Sequence, residues 1–432
     1  MLPTKTKILI VGAGPAGMAA ALSLHAQGFK PKDITLVDAL LAGQNTSRAM
    51  VIQAATLEAL DSVDCLDALV KIGTKLSRFE FVRGAEVTPL MSIDFNLLAE
   101  QTKFPFGLAI PQAETERVML EKLDSLGMRV LRPFKVVAVR GGDNGATEVV
   151  FESGEVIRAE YVIGADGAHS MVREQLDIPF ADPDGETDYG VLSQMALADL
   201  TFTSPPELPS NVLAGLLKGN FTLLVPFPST MSSDGSIVYR YVTGVPPAAG
   251  EIPHAPSKEY FQSLLDASGH PLRSSDPAIN PSPHQVKIDK ILWSSRYRPR
   301  AAIAGRCFAR APGGGGPVFL IGDAAHIHSP IGGQGLSLGV RDAISLGPVL
   351  RAVVDGAKDD AFMEEWGTGR RVRALEVIAL SKRGHGIISA SAGGSMLMVP
   401  FQKLGLLVLN VVTRIEVVQR AIAWRVSGLG QR

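Results

Sequence analysis

The chain has 432 residues, 46% of them hydrophobic and 20% charged, with a net charge of −1. That is enough apolar material for a large core and, at roughly 100–200 residues per domain, for two domains sharing an interface. Disorder is excluded, and so is a global electrostatic pull toward nucleic acid or an anionic membrane.

Two cysteines, Cys65 and Cys307, cannot form a disulfide framework, and no CxxC or His/Cys cluster predicts a metal. Lys5-Thr6-Lys7 runs straight into a strand with no apolar leader ahead of it, so a cytoplasmic setting is expected. Residues 7–11 (KILIV) read as a strand buried on both faces, and Gly12-Ala13-Gly14-Pro15-Ala16-Gly17 follows at once. A helix over 18–25, a strand over 34–37 and Asp38 at its end complete a dinucleotide fingerprint. Gly12 permits the turn, Gly14 lets a pyrophosphate approach the backbone, and Gly17 lets helix and strand pack closely. Asp38 would accept hydrogen bonds from a ribose.

Arg48 sits in a polar run (44–48) and reads locally as a surface arginine. A helical pattern covers 56–69, and strands with turns at Gly84 and Pro89 cover 75–95. The amphipathic helix over 110–123 has Gln112 near its start, placed to cap it or to reach a ligand. Residues 130–139 and 147–157 read as paired strands around a glycine-rich turn. In 161–173 (YVIGADGAHSMVR) another buried strand ends in Gly164, Asp166 and Gly167, with Arg173 beyond; alone, this is a tight turn.

Between about 180 and 290 prolines cluster, and β-type runs at 221–227 and 237–243 predict an antiparallel sheet in a second domain. Ile237, Tyr239 and Tyr241 share one face of that strand, and Val238, Arg240 and Val242 the other; either face could line a pocket. Residues 318–336 (VFLIGDAAHIHSPIGGQGL) then join a buried strand, Gly322-Asp323 and a glycine-rich turn that opens a helix. Such a helix start offers unpaired N–H groups and a positive dipole end to a phosphate or to a group that becomes negative. Glycine turns near 14, 166 and 323 imply one large site built from distant parts of the chain. Residues 359–377 read as a charged helix and 395–429 as an apolar helical pair. Pro400, Gln402, Lys403 and Asn410 interrupt the tail, so no run approaches the ~20 residues of a spanning helix. Peripheral membrane contact is the minor reading.

In this order and spacing the motifs resemble the group A flavoprotein monooxygenases, typified by p-hydroxybenzoate hydroxylase and phenol hydroxylase, over nearly the whole chain. The resemblance implies an α/β fold with a discontinuous Rossmann-like FAD-binding domain (1–75, 106–180, 291–365). Strands at 76–105 and an inserted antiparallel β-sheet at 181–290 would form the substrate domain, and helices over 366–432 the C-terminal region. It implies FAD contacts at Gly12, Gly14, Pro15, Ala16, Gly17, Asp38, Arg48 and Gln112. A DG motif at Asp166, Gly167 and Arg173 would serve both FAD and NAD(P)H. Gly322, Asp323, Gly332, Gly333, Gly335 and Leu336 would hold the flavin end, with Pro330, Gly333, Gln334 and His326 beside the reacting ring. Leu224, Val225, Pro226 and Tyr239 are the expected substrate-pocket residues; Tyr239, Tyr241 and His326 are the base candidates, none favoured. Three departures stand out: Asp38 for the more usual Glu, Ala39 for a basic residue, and Ser337 for the Asn that commonly follows GGQGL.

The implied activity is hydroxylation of a small aromatic, phenol-like substrate with bound FAD, transient NAD(P)H and O₂, through a flavin C4a-hydroperoxide. Nucleic acid and an integral span are not expected, and a homodimer is allowed. The same motifs would serve a Baeyer–Villiger, epoxidase, oxidase or dehydrogenase outcome in secondary metabolism, or a flavin-binding partner protein without substrate oxidation. No WxWxIP signature of a flavin halogenase occurs.

Overall fold

Unbroken apolar runs become the central parallel strands. The computed structural model describes residues 2–43, 49–83, 91–186, 193–203, 212–217, 220–246, 249–267, 275–278, 286–330, 333–392, 413 and 415–431. The main sheet runs β19 (Phe308–Arg310), β20 (Pro317–Leu320), β11 (Val156–Gly164), β1 (Lys5–Val11), β2 (Ile34–Val37), β8 (Val130–Leu131). From β20 to β8 every pairing is parallel, while β19 joins antiparallel. A hairpin of β9 (Val136–Gly141) and β10 (Thr147–Phe151) extends from β11. Ile8 and Ile10 enter the core under α1 (Pro15–Ala26) and α7 (Gly335–Val354), whereas Leu9 and Val11 enter the core on the opposite face. Both faces are covered, which is why these strands read as continuous rather than alternating. The two helices touch closely: Ser23 Oγ donates to Ile344 O at 2.7 Å.

The second sheet runs β17 (Ile288–Tyr297), β13 (Met195–Phe202), β16 (Tyr239–Gly244), β15 (Asn220–Pro226), β14 (Val212–Leu217), β5 (Arg78–Arg83), β6 (Met91–Asp94). It is antiparallel except where β14 meets β5, a strand supplied from a distant part of the chain. Its outer face packs under α6 (Lys258–Ala267), with Phe261 and Leu265 against Leu224, Tyr239 and Tyr241. Its inner face meets a small sheet of β3 (Val51–Ile52), β7 (Gly107–Ala109) and β4 (Thr74–Leu76), through Val225 and Phe227 against Val51, Leu76 and Ala109. A further small sheet, β12 (Phe180–Ala181), β18 (Ala302–Ala304) and β21 (His326–Ile327), lies beyond the second and third glycine turns.

Several local expectations change. The helix expected over 56–69 is two, α2 (Ala54–Asp61) and α3 (Asp67–Ile72), separated where Asp64 takes φ 52°. Residues 130–139 divide between β8 and β9, which join different neighbours. Ahead of them α4 (Gln112–Ser125) falls close to its predicted place, while α5 (Met171–Gln175), after β11, is a short helix where only a tight turn was expected. The charged helix α8 (Asp360–Ala392) runs well past its expected end, and α9 (Glu416–Val426) forms part of the tail. Gly84, Pro89, Pro205, Pro206 and all of 395–412 lie outside the described residues. Among the described residues no helix is long and apolar enough to cross a membrane.

Candidate active site

The three glycine turns stand side by side at the C-terminal ends of β1, β11 and β20, which are neighbours in the sheet. Backbone bonds lock them together: Ala165 N donates to Val11 O at 2.7 Å, and Ile321 N to Gly164 O at 3.0 Å. A Cβ at Gly12 (φ +103°) would stand 2.3 Å from Ala165 O, and one at Gly17 only 1.9 Å from Gly12 O, so side chains are excluded by contact. At Gly14, by contrast, the Cβ position is open, leaving backbone exposed to a ligand. The first turn of α1 carries no side-chain cap and no acidic residue, and Pro15 occupies a position whose N–H would be unpaired anyway. The start of α7 is likewise uncapped and free of acidic residues. Two positive helix ends therefore face the same strand edge.

Three carboxylates border this edge. Asp38 accepts from Ala13 N at 2.7 Å and Leu40 N at 2.8 Å, with Arg132 Nη1 at 3.3 Å. Beside it opens a cleft of about 660 Å³ lined by Leu41, Gly43, Leu120, Arg129 and Arg132, of a size that suits an adenosine. Asp166 is committed to its own loop: it accepts from Ser170 Oγ at 2.5 Å and Val172 N at 3.1 Å, and burial pushes its carboxyl up. Gly167 (φ +83°) presents open backbone next to it. Asp323, in a turn just beyond β20, is exposed.

Other predicted positions are corrected. Arg173 is 4% exposed; its guanidinium donates to Ala324 O and Ala168 O, both at 2.9 Å, and lies over the Phe180 ring. It ties the second turn to the third. Gln112 heads α4, half-buried, and donates to Glu116 Oε1 at 2.7 Å instead of capping the helix. Leu224, Tyr239 and Tyr241 lie in the core beneath α6, which removes the first two from the substrate pocket and both tyrosines from base chemistry. Pro226 stands opposite Tyr239, while Val225 faces the other way, closed into the seam with β3 and β7. His326 is 2% exposed and bound through Nε2 to Asp342 Oδ2 at 2.5 Å, a structural partner and not a base. Gln334 belongs to the loop but reaches backbone carbonyls of α9. Arg48 and Gly332 lie outside the described residues.

Two constellations were not visible in the sequence. Asp342, buried in α7, accepts from Gly322 N (3.2 Å), His326 Nε2 (2.5 Å) and Arg370 Nε (2.6 Å). Burial opposes its charge, but Arg370 and His326 outweigh that and hold the carboxyl down at about 2. On the inner face of the second sheet, Asp199 and Arg240 stand directly opposite and form a bidentate pair with both bonds at 2.6 Å. No local pattern announces either group, because the partners are 41 and 28 residues apart or are separated by a whole element.

The flavin adenine dinucleotide that the motifs imply can be tested against these residues. Around the third loop, His328 Nε2, Ser329 Oγ and Gln334 Oε1 are buried without a hydrogen-bond partner among the described residues. Orphaned polar atoms beside an uncapped helix start, an open Gly14 and an exposed Asp323 form a donor and acceptor set that fits a dinucleotide. A parallel nucleotide sheet with three glycine turns at one edge, joined to a large second β-sheet, belongs to a class, the FAD-dependent monooxygenases of the group A type. The family model described as FAD binding domain matches residues 5–381, and the chain belongs to that family. It is 29% identical over 378 residues to the uncharacterised aromatic compound monooxygenase YhjG of Bacillus subtilis, covering 86% of this chain and 66% of that protein. It is 26% identical over 416 residues to a rifampicin monooxygenase of Streptomyces venezuelae, covering 95% and 79% respectively. The structure of p-nitrophenol 4-monooxygenase from Pseudomonas putida superposes with a TM-score of 0.75 at 22% identity, covering 98% of each chain.

Proposed function

We propose that this protein is an NAD(P)H-dependent hydroxylase of a small aromatic, phenol-like compound. The feature that carries this reading is the apolar inner face of the second sheet. Leu197, Leu223, Val242 and Trp293 cluster there with Met50, and Asp199 and Arg240 on the same face cancel one another. Such a face suits a flat apolar ring and keeps water out, a requirement when an activated oxygen species must survive long enough to react. The names of relatives that act on aromatic compounds support the same reading.

Bound FAD would supply the electron transfer and oxygen activation. The chain's own contribution is position and charge. Gly14 and the start of α1 would take the pyrophosphate, Asp323 the ribityl hydroxyls, and the N–H groups at the start of α7 the negative charge that reduction places on the ring. Burial pushes His328 down to about 4, so it stays neutral at physiological pH and adds no cation beside the loop.

Replacing Asp323 with alanine is expected to weaken FAD binding roughly ten- to hundredfold, the value of one charge-assisted hydrogen bond or two. Release of FAD fluorescence on dilution measures it, and wild-type affinity in the variant would remove Asp323 from the site. The reaction itself is tested by NADH and NADPH oxidation against a panel of phenols under ¹⁸O₂, with H₂O₂ quantified. A phenol that accelerates oxidation and gains one labelled oxygen is expected. An FAD-loaded protein that no phenol stimulates would overturn the aromatic hydroxylase reading.

A further inference from the structure

We infer that the C-terminal segment around α9 is a working part of the flavin site, a strap that holds the glycine loop at 333–335 to the edge of the substrate-side sheet through the side chain of Gln334. Gln334 precedes α7 and is 2% exposed, yet its amide does not cap that helix. Its Nε2 instead donates to Arg425 O (3.3 Å) and Val426 O (3.1 Å). These are among the last carbonyls of α9, which have no partner within their own helix. One turn and more into α7, Arg341 donates from Nη1 to Gly428 O at 3.0 Å and Gln431 O at 3.3 Å. At the start of α2, Ala55 N donates to Ser427 O at 3.1 Å. Three donors from the flavin-side body thus converge on residues 425–431.

The other side of the strap is apolar. Ala423 and Leu429, with Ile422, Trp424 and Val426 beside them, pack against Ile93 of β6 and against Phe95 and Leu98, which follow that strand. Phe79 and Phe81 of β5 join the same cluster. The strap is therefore shared by two bodies, held by polar bonds to the loop and by packing to the sheet. Glycine suits its turn: at Gly428 (φ +74°) a Cβ would press on the Arg341 guanidinium, 3.1 Å from Nη1. Gln334 is on this account a positioning residue. It does no chemistry on a substrate, but fixes the loop whose backbone donors would face the ring of bound FAD.

The inference rests on FAD binding and not on the identity of the substrate, so it survives if no phenol proves to be a substrate. Two variants of the FAD-loaded protein test it from opposite ends. Gln334→Glu keeps the side-chain shape but faces two carbonyl oxygens with a group that cannot donate. Gly428→Ala disturbs the strap without touching the loop. Both are expected to raise the FAD dissociation constant about tenfold and to blunt the vibronic shoulder of the bound flavin band. The double variant should fall short of the product of the two effects, because one clasp is broken twice. If Gly428→Ala lowers only the Tm, with flavin spectrum and affinity as in the wild type, the strap is a structural tail and the inference is wrong. Should Gly428→Ala fail to fold, Arg341→Lys, which withdraws the guanidinium from Gly428 O and Gln431 O without touching the loop, decides by the same two readouts.

Discussion

Asp342→Ala is expected to destabilise the folded protein by about 3–5 kcal/mol, the usual cost of removing one member of a buried charge pair. The cost arises because three donors aim at this carboxylate and none has another acceptor of equal strength nearby. Arg370, 5% exposed, would be left as a buried cation, and Gly322 N as a buried N–H beside the turn that presents Asp323. Against a typical total stability of 5–15 kcal/mol, such a loss is decisive. Urea denaturation of the FAD-free protein isolates the structural part from cofactor linkage. Asp342→Asn, which keeps the shape and one acceptor oxygen, should cost clearly less. The sign with pH follows from the depressed carboxyl: its contribution is complete above the ordinary carboxylate range and is lost as pH falls toward about 2. Wild type and Asp342→Asn should therefore converge on acidification. A loss below about 1 kcal/mol for the alanine variant would show that Arg370 and His326 find other partners, and that the group does not hold the turn.

How far the site could be read in advance depended on whether its residues answer to their neighbours in sequence or in space. The apolar stretches of β1, of β11 at 162–164 and of β20 are buried on both faces, and each ends in glycines whose reason is local crowding, as at Gly12 and Gly17. Local causes leave local signals, and these strands and turns read through. Alternation in 237–242 separates two faces correctly, but which face turns inward is set by α6, about twenty residues later, and by β3, far earlier. The tyrosines went under the helix, and Arg240 went to the seam. Arg173 and His326 mislead for a related reason. A basic or imidazole group near a glycine turn has the right chemistry for a ligand, yet each here satisfies a buried carbonyl or carboxylate contributed by another motif. Gln334 shows the same displacement, since its partners lie about ninety residues on, in α9.

Arg240→Met is expected to cost about 3–5 kcal/mol and to do so in a way that acid relieves. Arg240 is 2% exposed, paired in bidentate fashion with Asp199, and its guanidinium sits near the rings of Phe227 and Trp293 at 5.3 and 5.0 Å. Its Nη1 also donates to Ala49 O at 3.3 Å, joining the second sheet to the segment that precedes β3. Removing it strands Asp199 as a nearly buried carboxylate, whose carboxyl must then rise above its unfolded value. A group raised in the folded state penalises folding at high pH and ceases to do so as pH falls through the raised value. The deficit of Arg240→Met relative to the wild type should accordingly shrink as pH falls. The double variant Arg240→Met, Asp199→Leu should recover most of the loss, since a buried ion pair and a well-packed apolar pair are close in energy. A double-mutant cycle measures the coupling directly, and a value under about 0.5 kcal/mol would mean that the two groups are separately solvated. If the cycle behaves as expected, stability and chemistry part company at this pair. The apolar double variant would fold well while adding apolar surface to the seam, and any change in the compounds that stimulate NAD(P)H oxidation would then report on the polarity of the pocket alone.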